Sequence, residues 1–299
     1  MKKNNEKRTN EEEWWHEYAK QMRADKTLAI HFGYYEKGIR SHEEAVINKN
    51  KFIEKLLDLD NLAKKNGIIL DAGCGVGGTL IYFAKKYSTM KFIGVNNSPI
   101  QTRLAPKFAQ KNHVSSNTEF ILGDCLSMAI TDNSIDGIFA LEAFTRMKDK
   151  KRFLQEASKI LKQNKKLVIE DVFLIKKPTN YFTKLAYDAH CKTWKLTSIE
   201  SIDDFKYYLK DLNFNDIKIK DITKNSWLSY FIINLKFLSY AIFSRPKKKT
   251  VYPKDKVSNK KPPFSKYVSI YILIMYFSSV FLFLNRTIRM LAITAVKKK

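Results

Sequence analysis

The chain has 299 residues, enough to bury a large α/β core, and its 44% hydrophobic and 13% aromatic content with only ten glycines and seven prolines excludes a low-complexity, collagen-like or wholly disordered polymer. Three cysteines, Cys74, Cys125 and Cys191, with no CxxC pair and no neighbouring His cluster, argue against a disulfide framework or structural zinc and predict a reducing compartment. The net charge of +24 is uneven: from Ser226 to Lys299 twelve Lys and three Arg face Asp255 alone, which implies an anionic partner there (membrane surface, nucleic acid or charged substrate) or a merely solvated lysine-rich surface.

Residues 1–12 are polar and read as frayed, and the basic start lacks a following apolar run, so no secretory signal is expected and the chain starts in the cytosol. Trp14, Trp15 and Tyr18 open an amphipathic stretch that ends in a loop at His31-Phe32-Gly33-Tyr34-Tyr35. A helix is predicted over Glu43–Lys65, from Val46, Phe52, Ile53, Leu56 and Leu57 near a 3.6-residue period and Asn66-Gly67 as its stop. The period then changes to strands alternating with helices. Strands are expected at 67–72, 91–96, 119–122, 135–141 and 166–173, and helices at 78–87, 99–113 and 148–161. That alternation predicts a parallel, doubly wound sheet. Beyond it come helices over 180–194 and 201–212, a strand over 215–222 and a last strand over 287–296. Two 18-residue apolar stretches, Trp227–Ser244 and Tyr267–Leu284, lie between those last two strands.

The run Ile68-Ile69-Leu70-Asp71-Ala72-Gly73-Cys74-Gly75-Val76-Gly77-Gly78 sets glycines two apart between a strand and a helix, where backbone amides can approach a ligand closely. A carboxylate before that turn would repel a pyrophosphate and suits a cationic amino-acid moiety instead.

With these residues in view, the chain resembles the class I S-adenosylmethionine-dependent methyltransferases from about His31 to Lys297, and most nearly their sterol/tocopherol C-methyltransferase-like small-molecule branch. The resemblance implies a Rossmann-like seven-stranded sheet with an antiparallel last strand, an N-terminal helical lid and a helical cap inserted before the last strand. It implies that Asp71, Gly73, Cys74, Gly75 and Gly77 hold the methionine part of the cofactor. FIGVNNSPIQ resembles the segment that binds the ribose, through Asn96 and Asn97 with Gln101 reaching back; many members carry an acid where this chain has Asn96. Asp124 and Cys125 match the adenine-binding motif, although Asp124 reads equally as a strand-end turn residue.

At the reacting centre the resemblance places Glu142 as an acid at the start of the loop after strand four, and Arg146 where many relatives carry a His. An arginine cannot be a base near neutral pH; it either binds an anionic acceptor or caps the loop. Tyr34 and Tyr35 are expected to close over the methyl group and acceptor, or else simply to pack. Of the two acids ending strand five, Glu170 and Asp171, the latter is expected to face the acceptor; His190 and Trp194 lie in the segment covering the pocket, and no metal is implied.

Eighteen uncharged residues is the lower limit for a membrane span. A single span at 267–284 would part the last strand from its sheet, and two spans would translocate Arg245–Lys266, with nine Lys and Arg against one Asp. Both spanning arrangements are therefore disfavoured. The expected organisation is an N-terminal lid (1–42), a methyltransferase core (43–224), an apolar, basic cap (225–285) that either lies on the cytosolic membrane face or is simply buried, and the last strand with a basic tail (286–299). The expected activity is methyl transfer to a small apolar acceptor, with C-methylation of an isoprenoid, sterol or prenylquinol-like lipid preferred and O- or N-methylation of a small metabolite as the alternative. Nucleic-acid methylation is disfavoured, since strand four ends in ALEAF with neither an Asn/Asp-Pro-Pro-aromatic motif nor a Pro-Cys nucleophile, and non-catalytic cofactor binding remains a further reading.

Overall fold

A computed structural model describes Trp15, Ala19, residues 24–243 and residues 267–298. The expected frayed start, Trp14, Tyr18 and the whole basic linker (245–266) lie outside the described residues. The strands are β1 (Ile68–Ala72), β2 (Lys91–Asn96), β3 (Thr118–Leu122), β4 (Ile135–Leu141), β5 (Leu161–Leu174), β6 (Phe214–Asp221) and β7 (Ile288–Lys297). The helices are α1 (His42–Leu57), α2 (Leu59–Ala63), α3 (Gly78–Lys86), α4 (Pro99–Lys111), α5 (Lys150–Ile160), α6 (Tyr181–Trp194), α7 (Ile202–Asp211), α8 (Thr223–Phe243) and α9 (Tyr267–Leu284).

The seven strands form one sheet in the order β3-β2-β1-β4-β5-β7-β6. Neighbours from β3 to β5 are parallel, while β7 runs antiparallel to both β5 and β6. The order reverses between β1 and β4, so the crevice outside their carboxyl ends is where an open α/β sheet binds its ligand. Asp71 and Glu142 stand at that crevice.

Strand alternation divides the core into two layers. Ile69, Phe92, Phe139, Val168 and Val172 face α1 and α3, packing with Ile53, Leu57, Leu80 and Phe83. Leu70, Ile138, Ala140, Ile169 and Phe173 face α5 and α7, packing with Phe153, Leu154, Phe205 and Leu209. Helix α1 starts at a capping box in which Ser41 and Glu44 satisfy each other's backbone amides. The single helix expected over 43–65 is broken at Asp58, which takes a left-handed conformation (φ 63°) and accommodates α2 at a new angle. Strand β5 begins at Leu161, directly after α5, instead of at Lys166; Leu161 pairs with Ile135 and Lys166 with Gly137 across a register shift, and Asn164 between them takes φ 60°.

The cap helices sit on the sheet edge and on α6. Ser226, Ser229, Tyr230 and Ile233 of α8 and Ser278, Ser279, Leu282 and Phe283 of α9 are buried against the core. Among the described residues no helix is long and apolar enough to cross a membrane.

Candidate active site

The turn from β1 into α3 carries three glycines with positive φ: Gly73 (97°), Gly75 (58°) and Gly77 (81°). Two of them are also required by packing. A β-carbon on Gly73 would lie 2.4 Å from Ala143 Cβ, and one on Gly77 would lie 2.4 Å from the Phe120 ring. Gly75 differs, because the nearest atom to its virtual β-carbon is Ile30 Cδ1 at 3.8 Å. Its open side is room for a ligand.

Asp71 is 4% exposed, and burial pushes its carboxyl well above the usual range. Among the described residues no N–H or O–H donates to it. A buried carboxylate without a donor, beside an open glycine cradle, fits the ammonium group of an amino-acid moiety, so the loop satisfies the demand that S-adenosylmethionine would make of it. Asn96 Nδ2 donates to Gln101 Oε1 at 2.9 Å and to the Gly75 carbonyl at 3.4 Å, so this amide pair is organised against the same loop. Asn97 is exposed at the bend after β2. Asp124, also exposed, accepts from the Leu126 amide at 3.0 Å through Oδ1, in the turn after β3. The thiols of Cys74 and Cys125 are pushed up by burial and then by the Asp71 charge, Cys125 to about 12, which keeps both as neutral, inert packing groups.

Glu142 follows β4 in a left-handed conformation (φ 52°) that a non-glycine residue holds only when its surroundings over-determine it. Its amide donates to the Glu170 carbonyl at 2.8 Å, and its Oε1 accepts from the Phe32 amide at 2.8 Å. Lys49 of α1, wholly buried, lies between two acids: Nζ is 2.5 Å from Glu170 Oε1 and 3.7 Å from Glu142 Oε1. Burial, then the neighbouring Glu170 charge, pushes the Glu142 carboxyl well above its usual range. Behind Lys49, His31 Nε2 is 3.0 Å from Asn50 Oδ1 and Nδ1 is 3.0 Å from the Phe32 carbonyl; burial and the Lys49 charge pull its pKa down to about 4.

Several expected roles change in this setting. Asp171, expected to face the acceptor, is engaged within the protein. Strand alternation turns it to the α5 side, where its oxygens accept from the Thr145 amide (2.9 Å), the Thr145 hydroxyl (3.1 Å) and the Val172 amide (2.7 Å), and Glu170 takes the face that looks onto α1. Tyr34 is packed instead of poised as a lid: it is 2% exposed, stacks on Phe52 at 4.6 Å, and its hydroxyl accepts from Lys220 Nζ at 3.0 Å. Tyr35 is tied by its backbone to Asn225, its amide donating to the Asn225 carbonyl at 2.8 Å. Arg146 is exposed and donates to the Trp194 carbonyl at 3.0 Å, capping the loop onto the end of α6. His190 Nδ1 lies 2.6 Å from Ser279 Oγ, to which Trp194 Nε1 donates at 3.3 Å, so these two residues fasten α9 to α6.

Lys49 is the residue that motif reading passed over, while Phe32 was read only as part of the lid loop and Glu170 only as the less favoured of the two acids ending strand five. Lys49 left one trace: it shares the α1 stripe with Ala45, Val46, Phe52 and Ile53, a core position where an unpaired lysine is not tolerated. The Phe32 ring meets Trp194 and Tyr230, each at 5.7 Å, and with Trp227, Phe283 and Met290 it lines a small aromatic cleft under the cap. Ser229 of α8 accepts from the Gly33 amide at 2.7 Å and so secures this segment to the cap. Among the described residues no group of three or more His, Cys, Asp or Glu could hold a metal.

Comparison with known proteins accords with this geometry. Ajmaline N-methyltransferase of Rauvolfia serpentina is 30% identical over 148 residues, 47% of this chain and 50% of that one. Chloroplastic tocopherol O-methyltransferase of Arabidopsis thaliana is 26% identical over 212 residues, 66% of this chain and 60% of that one. The chain thus matches 50 to 60% of the length of these two relatives. The geranyl diphosphate C-methyltransferase of Streptomyces coelicolor A3(2), solved with Mg2+, geranyl-S-thiolodiphosphate and S-adenosyl-L-homocysteine, shares the fold at TM-score 0.67 and 14% identity, over 98% of this chain and 94% of that one. A family model described as a methyltransferase domain matches residues 63–238, from before β1 into α8 and so across Asp71, the glycine turn and both acids of the Lys49 pair: the chain belongs to the methyltransferase domain family.

Proposed function

We propose that the protein transfers a methyl group from S-adenosylmethionine to a small apolar acceptor, with C-methylation of an isoprenoid, sterol or prenylquinol-like lipid preferred over O- or N-methylation of a small metabolite. The cofactor supplies an electrophilic methyl group on a sulfonium. Asp71 and the open side of Gly75 hold its amino-acid part, Asn96, Asn97 and Gln101 its ribose, and Asp124 its adenine. One observation carries the reading of the acceptor. Phe32 holds Glu142 through its amide while its ring lines the small aromatic cleft, so the same residue joins an apolar wall to the acid at the crevice. The aromatic walls exclude water and present ring faces to positive charge, and Glu142 accepts the proton that an acceptor must lose.

The test is incubation with methyl-labelled S-adenosylmethionine and, separately, the apolar and polar fractions of a cell extract. Label entering the apolar fraction with wild type and not with Asp71→Asn supports the reading. Label only in the polar fraction favours the small-metabolite alternative, and no transfer to either sinks both.

Exposed apolar side chains of the cap and of the neighbouring α6 support a membrane-surface location. Tyr181 and Phe182 of α6 are each 73% exposed, Phe277 and Leu284 of α9 are 63% and 71% exposed, and Leu185, Phe231, Leu235 and Phe281 accompany them. Large apolar side chains exposed in this number favour a covering. The linker between α8 and α9, with nine Lys and Arg against one Asp over 245–266, matches anionic lipid headgroups, and we assign the cap to a cytosolic membrane face from which an apolar acceptor enters. Flotation with phosphatidylglycerol and with phosphatidylcholine vesicles is decisive: binding that requires the anionic lipid and falls in a Phe182→Ser, Phe277→Ser variant is expected, and equal failure with both vesicles overturns the assignment.

A further inference from the structure

The acids at the crevice outnumber their cation. Glu142 and Glu170 are both drawn to Lys49, yet only Glu142 has any access, its side chain being 16% exposed while those of Glu170 and Lys49 are fully buried. Glu170 Oε2 is buried and has no hydrogen-bond partner among the described residues. Among the described residues the other charge felt here is Asp171, on the opposite face of β5 with Arg146 beyond it; His31, packed behind Lys49, stays neutral. Lys49 forms its short contact with Glu170, so a charge on Glu142 would be a second, uncompensated anion in a buried place. The Glu142 loop also touches the glycine turn, because Ala143 is the residue that Gly73 leaves room for.

We propose that Glu142 is the proton-exchanging group of this site, that Lys49 and Glu170 are its positioning residues, and that a cation arriving beside the Gly73 turn drives one proton from Glu142 into solvent. The inference rests on the reading of S-adenosylmethionine as the ligand. The Lys49–Glu170 pair is internally neutral and leaves Glu142 as a neutral acid until another positive charge balances it. The carboxylate so formed can then take the proton that an acceptor loses, which returns Glu142 to its neutral form and closes the proton balance. A base of this kind is armed only while the sulfonium is present. S-adenosylhomocysteine has the same amino-acid part but a neutral sulfur, so it separates proton release at Glu142 from any release at Asp71.

The experiment is calorimetric titration of the full chain at neutral pH with each ligand in phosphate and in Tris, whose ionisation enthalpies differ widely. For wild type, S-adenosylmethionine should release about one proton more than S-adenosylhomocysteine does. Glu142→Gln should bind both ligands with that difference gone. Glu170→Gln should also lose it, because Lys49 then pairs with an already ionised Glu142; a residue with no access to ligand would not alter proton release through a merely structural role. Lys49→Arg should keep the difference. Equal proton release for the two ligands by wild type, or an undiminished difference in Glu170→Gln, overturns the proposal while leaving the cofactor reading intact. Absence of binding by wild type overturns both.

Discussion

Gly73 and Ala143 touch with no space for a methyl group between them: a β-carbon on Gly73 would sit 2.4 Å from Ala143 Cβ. The contact locks the turn after β1 to the loop after β4, the two loops that flank the reversal of strand order. Gly73→Ala meets both this clash and a φ of 97°, and is expected to cost about 2–4 kcal/mol of stability. Gly75→Ala meets only its φ of 58° and should cost about 1 kcal/mol while weakening S-adenosylmethionine binding at least as much as Gly73→Ala does. Denaturant melts beside calorimetry separate the two, and equal stability losses would contradict the packing argument.

Asp71 is a destabilising residue in the free protein, because burial opposes its charge and no N–H or O–H of the described residues donates to it. Asp71→Asn should therefore melt at or above the wild-type temperature, with a gain of up to about 1 kcal/mol, yet bind the cofactor at least tenfold more weakly. A clear loss of stability would show that the acid has a structural partner.

For Asp171 the opposite balance holds. Its oxygens accept from two amides and a hydroxyl that hold the turn at Thr145, so Asp171→Ala leaves buried donors unmet and should cost about 2–4 kcal/mol. Asp171→Asn, which keeps an acceptor, should recover part of that loss in chemical denaturation.

Mild acid should loosen the fold through its buried histidines. His31 and His190 both have pKa values pulled down to about 4, chiefly by burial, whereas an unfolded histidine titrates near 6.5. Between these values the unfolded chain binds the proton and the folded one does not, so stability is complete above about pH 6.5 and falls as pH drops toward 4. The two together remove a few kcal/mol. The raised carboxyls of Glu142 and Asp71 work the other way, gaining stability as pH falls, so the comparison must be made by difference. His190→Gln, which can still bond Ser279, should flatten the slope of melting temperature against pH between 6.5 and 4; an unchanged slope would refute the assignment to His190.

The strands and helices of the doubly wound half were legible because each is a local pattern: an apolar run closing on an acid, a glycine turn, then a 3.6-residue period. Asp71 and the glycine turn were legible for the same reason, being contiguous residues whose chemistry depends on backbone conformation and one preceding charge. The break at Asp58 was not, since a left-handed residue inside an apolar period leaves the period intact on both sides.

The sequence by itself determined the alternation of strands and helices, the cofactor turn and the uneven charge, because all three are set by residues adjacent in the chain. Only the tertiary structure decided which acid stands at the crevice and which lysine balances it. Lys49 and Glu170 are 121 residues apart and meet because α1 lies across the face that β5 gives to every second residue; one step along that strand separates a clamp on Thr145 from a partner for Glu142. The same face placed Phe52 beneath Tyr34, turning an expected lid residue into core and leaving the cleft to Phe32.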